Sequence, residues 1–442
     1  MFFGEYVSKR TAKSAAWWLF LIGLFSQTQL RLGAKIGISE LFCCLIAPFL
    51  FLSKYAEFKR DKVTLYFWLL IFWIFGAILS DYINGSFAAQ VIRGFSVPVT
   101  IFSVSVCVYY NLRKNANGLK WLLFGIACSS VLSIFVFQRG HAGDLAAEGD
   151  MSGAVEAIIG YKLFWANTLM TWLTLPLFVS YLKVPRFYAV FVMAGLSVFN
   201  LLTGGRSMFL VSMFSLVLLI LCGKKSESMR NVKKAFPIIL AALLGLGLMA
   251  KYTYQYAVKE GWMGEAEMVK YETQSQKGTG ILALLMSGRA DFFIGLIAAL
   301  DKPLIGQGSQ ALDFKGYAGE FLAKYGTDQE IQEYSRNQMK ANGAVRTIQS
   351  HSHVICYWMW HGVTALLFWL YVLYLSVITF KNRMHYIPEW FGYFAITLPA
   401  FFWDYFFSPF GLRVNECALY CTLLYLVKID NDRKRGYVMY EI

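Results

Sequence analysis

Apolar residues in this chain come in long blocks, not at the spacing of an amphipathic helix or a half-buried strand. Twelve runs approach the ~20 residues that a helix needs to cross a bilayer. They cover residues 15–30, 37–53, 64–81, 90–110, 120–137, 161–181, 187–204, 207–222, 235–252, 353–380, 386–407 and 413–428. A helix that is apolar all round is a buried or lipid-facing helix. The expected fold is therefore an all-α polytopic membrane protein of about twelve transmembrane helices. The first run, which contains Trp17, Trp18, Leu19 and Phe20, has no small-residue cleavage site after it, so it reads as an uncleaved helix.

Composition agrees with that class. Hydrophobic residues make up 57% of the chain and charged residues 15%, whereas a soluble domain carries about 25% charged residues. The net charge of +14 raises nucleic acid as a partner, until the cations are sorted along the chain. With the N-terminus in the cytoplasm, the short inside segments carry Lys9, Arg10, Lys13, Lys54, Lys59, Arg60 and Lys62. Further along, the inside segments carry Arg113, Lys114, Lys120, Lys183, Arg186, the cluster from Lys224 to Lys234, Lys381, Arg383 and the tail from Lys428 to Arg435. This is the positive-inside pattern, with both termini cytoplasmic. It removes the main support for a nucleic-acid partner and leaves the lipid bilayer as the expected one. All eight cysteines lie in or at the edge of apolar runs, which argues against a disulfide framework or a thiolate metal site.

The organisation expected is residues 1–252 as helices one to nine, 253–351 as a large outer loop, and 352–442 as helices ten to twelve with a cytoplasmic tail. Loops as long as the one between spans nine and ten are usually functional. Its basic and acidic residues balance. Within it, residues 281–300 are almost apolar enough to span, but Arg289 and Asp291 would each cost roughly 2.5–3.5 kcal/mol at a bilayer centre. A helix at the outer surface is the cheaper reading. Residues 311–349 are polar and expected to be helical. The chain shows no internal repeat, and a transporter of two equal halves would break after span six instead.

Seven cations fall outside both groups: Arg31, Lys35, Arg93, Arg139, Lys162, Arg206 and Arg413. Ionisable residues near or within the membrane are functional candidates by default, although long side chains also snorkel to the interface. Arg93 sits just inside a span, where an ion pair and a substrate contact are equally open. Arg206 follows Thr203-Gly204-Gly205, a turn whose glycines, Gly205 among them, would let backbone amides approach an anion beside a bidentate guanidinium. His351 and His353 stand where the loop re-enters the membrane, which suits a base or a donor to phosphate; a hydrogen-bonded structural histidine is the alternative for His353. His361, deeper in the run, reads as structural. No carboxylate pair accompanies these histidines with ligand spacing, so neither a metal nor another cofactor is expected.

Three segments resemble a known family. Thr203-Gly204-Gly205-Arg206-Ser207-Met208 resembles the Ser/Gly-Arg turn of the bacterial O-antigen polymerase and O-antigen ligase superfamily. Gly288-Arg289-Ala290-Asp291, followed by Lys302-Pro303-Leu304-Ile305-Gly306-Gln307-Gly308, resembles its arginine-bearing loop helix and Pro-x-x-Gly-x-Gly turn. His351-Ser352 with Gly362 resembles its motif of His, then Asn/Ser/Gln, then nine residues and Gly, although Ala365 stands where the family often has Gly, Thr or Tyr.

The resemblance covers mainly residues 187–380. It implies a metal-independent, inverting glycosyltransferase of the C type in the bacterial inner membrane, with its active site facing the periplasm. Arg206, Arg289 and His351 are the functional trio it carries over, with Arg93, His353, Gly205, Gly306 and Gly308 as substrate-binding candidates. The implied donor is a glycan on undecaprenyl pyrophosphate. The acceptor is a second lipid-linked repeat unit for a polymerase, with a chain-length regulator as a possible partner, or lipid A–core for a ligase. A non-enzymatic flippase for lipid-linked glycans is the rival from another class.

Overall fold

The computed structural model describes residues 8–31, 35–135, 175–181, 186–202, 206–222, 290–326, 346–348, 350–384, 386–408 and 413–436, with isolated positions between 245 and 268 and at 331 and 335. Helices dominate, and several are long and apolar, which makes this a helical membrane protein. Four described segments have the length and composition to cross a bilayer: Ile38–Arg60, Thr64–Asn84, Ala88–Lys114 and Val363–Arg383.

In chain order, α1 (Lys9–Leu24) is followed by a short antiparallel ribbon of β1 (Gln29–Arg31) and β2 (Lys35–Gly37). Then come α2 (Ile38–Arg60), α3 (Thr64–Asn84), α4 (Ala88–Lys114) and α5 (Gly118–Phe135). After these, α6 (Leu175–Tyr181), α7 (Arg186–Leu202) and α8 (Arg206–Cys222) lead to the loop helices α9 (Ala290–Asp301) and α10 (Tyr317–Tyr325). The last group is α11 (His353–His361), α12 (Val363–Ile378), α13 (Phe391–Phe407) and α14 (Arg413–Lys434).

Several elements depart from the sequence expectation. The first helix begins at Lys9 and ends at Leu24, so its charged leading turn is helical and residues 29–31 pair as a strand instead. Of 281–300 the described residues, from Ala290 onward, are helical; of 311–349 they are helical at Tyr317–Tyr325 and at positions 331 and 335, while Leu312 and Thr347 form an isolated bridge. The run 353–380 is two helices. Gly362 separates α11 from α12 with φ +65°, a left-handed conformation that glycine adopts without penalty. The apolar runs 161–174 and 235–252 lie almost wholly outside the described residues.

The core is aromatic. Trp73, Trp369, Tyr66, Phe67, Phe368 and Tyr420 are fully buried where α3, α12 and α14 meet. Trp73 packs edge-on against Tyr357 at 5.1 Å and tilted against Phe368 at 5.2 Å. Such pairs add about 0.5–1.5 kcal/mol each beyond the area they bury. Cys417 and Cys421 of α14 reach the carbonyls of Ile101 and Ser105 on α4. One end of this bundle is closed by an ionic cluster. Arg113 donates from Nε to Asp61 at 2.7 Å and from Nη1 to Glu57, and Tyr109 donates to the same Asp61 oxygen. Gly85 and Gly362 mark the opposite end.

Candidate functional site

At the Gly362 end, α11 and α12 form a hairpin. The His353 ring lies 5.3 Å from Trp369, seven residues into α12, and Tyr357 stacks on the same indole at 5.9 Å. Thus α11 starts alongside the body of α12 and climbs toward Gly362. Loop helix α9 runs beside it in the same direction. Asp291 meets His351, Gly295 faces Ser350 and Ile355, and Ile294 and Ala298 share a cluster with Met359. A Cβ on Gly295 would come within 2.7 Å of Ser350, so the close approach of these helices depends on that glycine.

This parallel packing places the Asp291 turn of α9 beside the N-terminus of α11. His351 Nδ1 lies 2.5 Å from Asp291 Oδ2, and both side chains are partly open, at 44% and 36% exposure. Asp291 is in the first turn of α9, where the helix dipole favours a carboxylate. The contact with Asp291 favours the tautomer that carries its hydrogen on Nδ1. Ser352 caps α11, accepting from Ile355 N and donating to the Tyr405 carbonyl, which fixes the backbone after His351. Chemically, the arrangement is a carboxylate-oriented imidazole beside the N-terminus of α11, able to take a proton near a developing anion.

The remaining candidates are distributed as follows. His353 is 1% exposed and lies 4.0 Å from Glu416 at the start of α14, so it faces the bundle interior and not an open cleft. Arg93 is exposed on α4 and donates to Gln310 Oε1 at 3.3 Å. Arg206 opens α8, which packs on α13, but its side chain lies outside what is described. Gly205 and Arg289 lie outside the described residues.

The backbone amides of Gly306 and Gly308, the substrate-binding candidates that the resemblance carries over, are engaged within the protein. Gly306 N–H donates to Lys302 O, Gln307 N–H to Met359 O and Gly308 N–H to Trp360 O. In return, Val363 N–H donates to Leu304 O. Both glycines have positive φ, +86° and +91°. A Cβ on Gly306 would strike the Trp360 carbonyl, and one on Gly308 the Ser86 hydroxyl. The turn is a socket for the α11–α12 hairpin tip, and this tight fit is the reason for its glycines.

Beneath that socket is a buried polar chain that the pattern of stray cations does not reveal. Trp73 Nε1–H donates to His361 Nδ1 at 2.9 Å, which leaves the ring hydrogen on Nε2. Nε2–H then donates to Ser309 Oγ at 2.9 Å, and Ser309 donates to Asp81 Oδ2 at 2.7 Å. Asp81 also accepts from Ser309 N and Ser86 Oγ. All of Trp73, Asp81, Ser309 and His361 are buried. Asp81, an acid at the end of an apolar run, was the available signal.

The loop has its own fastening. Asp301 accepts from Lys315, Tyr317 and Gln307. These donors hold its carboxyl down at about pH 2, and burial beside that carboxylate raises Tyr317 well above the usual phenol range. Lys302 donates to Asn84 Oδ1, tying the loop to the end of α3.

The fold is that of a helical membrane protein, with the His351–Asp291 pair at the start of α11. No protein-family model, no curated protein and no solved structure matches the chain.

Proposed function

We propose that the protein is a glycosyltransferase using polyprenyl-pyrophosphate-linked glycan, acting as a polysaccharide polymerase. The supporting observation is the His351–Asp291 pair at 2.5 Å beside the capped N-terminus of α11, on residues that resemble the motifs of the O-antigen polymerase and ligase superfamily. In this reading the chain crosses the bacterial inner membrane about twelve times, with both termini cytoplasmic. The Gly362 end then faces the periplasm.

The acceptor sugar hydroxyl is a weak nucleophile and needs a base as it attacks the anomeric carbon. His351 Nε2 takes that proton while Asp291 holds the ring in the required tautomer and stabilises the imidazolium. The new C–O bond forms as the anomeric C–O bond to pyrophosphate breaks, with inversion. The electron pair leaves on polyprenyl pyrophosphate, whose negative charge needs fixed donors more than a general acid. Arg289, next in sequence to the α9 N-terminus, and Arg206, at the α8 N-terminus, supply that clamp because guanidinium binds two oxygens and stays charged. Arg93, exposed on α4, is the further candidate for contact with the glycan.

The test is made in cells lacking the native copy. Arg289→Ala and His351→Ala should leave the protein inserted but abolish polymer formation. Arg206→Lys should be impaired, because a point charge does not reproduce the fork. Wild-type polymer from both Arg289→Ala and His351→Ala would overturn the assignment.

A further inference from the structure

At the opposite end of the molecule, a cleft of about 480 Å³ opens between α1, α2 and α4. That size lies within the range of ligand sites. Arg10, Asn111 and Lys114 line its mouth. Trp18, Ile22, Phe42, Ile46 and Leu50 line its body, and no carboxylate is among the lining residues. Trp18 and Phe42 stack at 5.6 Å, bridging α1 and α2, and both remain more than 40% exposed.

Charge is unbalanced at the mouth. The acids nearby are already engaged: Glu57 by Lys54 and Arg113, and Asp61 by Arg113 and Tyr109. Arg10 is exposed, and Lys114 Nζ lies 3.8 Å over the Tyr110 ring. From Arg10 to Ile22 the α1 wall extends about 18 Å at 1.5 Å per residue. One leaflet of a ~30 Å hydrocarbon core measures about 15 Å. A cationic mouth above an apolar slot as deep as one leaflet fits one ligand shape, an anionic head on an acyl chain.

We propose that this cleft is a binding site for an anionic glycerophospholipid, its phosphate at Arg10 and Lys114 and one acyl chain along Trp18, Phe42 and Ile46. The site is independent of glycosyl transfer and lies at the other end of the bundle from His351.

Native mass spectrometry of the full-length protein in detergent tests it, with phosphatidylglycerol and phosphatidylcholine as probes. The intact protein should retain phosphatidylglycerol preferentially. The Arg10→Ala/Lys114→Ala double variant should lose about 25-fold in that affinity, from about fivefold per basic residue at an anionic lipid surface. Ile46→Trp, which fills the slot without changing charge, should weaken both lipids. Equal retention of the two lipids by the intact protein, or phosphatidylglycerol affinity within twofold of wild type in the double variant, would overturn the proposal. So would equally tight binding of glycerol phosphate, which has the head without the chain.

Discussion

Asp291 of α9 holds His351 Nδ1 at 2.5 Å across 60 positions of sequence, because α9 and α11 pack in parallel. Removing the imidazole and removing its partner should therefore have different consequences. His351→Ala should lower transfer by about 10²–10⁴-fold, the usual contribution of a positioned base. Asp291→Asn should lower kcat as well, with little change in KM, because the amide leaves His351 in place but no longer favours the required tautomer. Steady-state kinetics on a lipid-linked donor checks this; unchanged kcat in Asp291→Asn would remove the carboxylate from the account.

The socket makes a separate prediction about stability. Gly306→Ala and Gly362→Ala each place a Cβ against a backbone carbonyl at positive φ, which should cost about 1–3 kcal/mol. Gly195→Ala on α7, with nothing within 4 Å of the new methyl, serves as control and should be neutral or slightly stabilising. Thermal unfolding in detergent distinguishes them, and a wild-type melting temperature for Gly306→Ala would mean the turn is not a tight socket.

The buried chain below the socket should behave as one unit. Ser309→Ala removes the hydroxyl that links His361 to Asp81 and leaves a buried ring N–H without its acceptor, at a cost of about 1–3 kcal/mol. Gly94→Ala acts at the same place, since its Cβ would fall on Ser309 Oγ. The double variant should lose less than the sum of the two, because both break the same link. Full additivity in thermal unfolding would show that the two positions act separately.

Loop fastening should depend on pH. The Asp301 carboxyl is held at about 2, below its ordinary 3.8, so the folded state favours the carboxylate. Its contribution is complete above about pH 4 and is lost as pH falls through 2. Pepsin cleavage within residues 301–326 should accelerate over that window in the wild type. In Asp301→Asn it should be fast even at pH 4; the same pH profile in both proteins would contradict the assignment.

The apolar blocks were legible because bilayer crossing is written in composition over about 20 residues, and α2, α3, α4 and α5 lie where the runs place them. The break at Gly362 was not, since a glycine inside an apolar run looks the same whether the helix continues or turns. Sequence singled out Gly306 and Gly308, but a glycine that admits a phosphate and one that admits a carbonyl leave the same trace. His351 was legible from its position at the re-entry of the loop. Its partner was not, because only the parallel packing of α9 on α11 shows that Asp291 belongs with it. Asp81 carries no positive charge to stand out against the positive-inside pattern, yet it anchors a buried polar chain near the hairpin tip.

The most direct test of the central claim is reconstitution of the purified protein in liposomes with a synthetic polyprenyl-pyrophosphate-linked repeat unit as the sole substrate, followed by mass spectrometry of the glycans. The account predicts a ladder of products with release of polyprenyl pyrophosphate, abolished in His351→Ala. New glycosidic bonds at wild-type rate from His351→Ala, or lipid movement without new glycosidic bonds from the wild type, would contradict it.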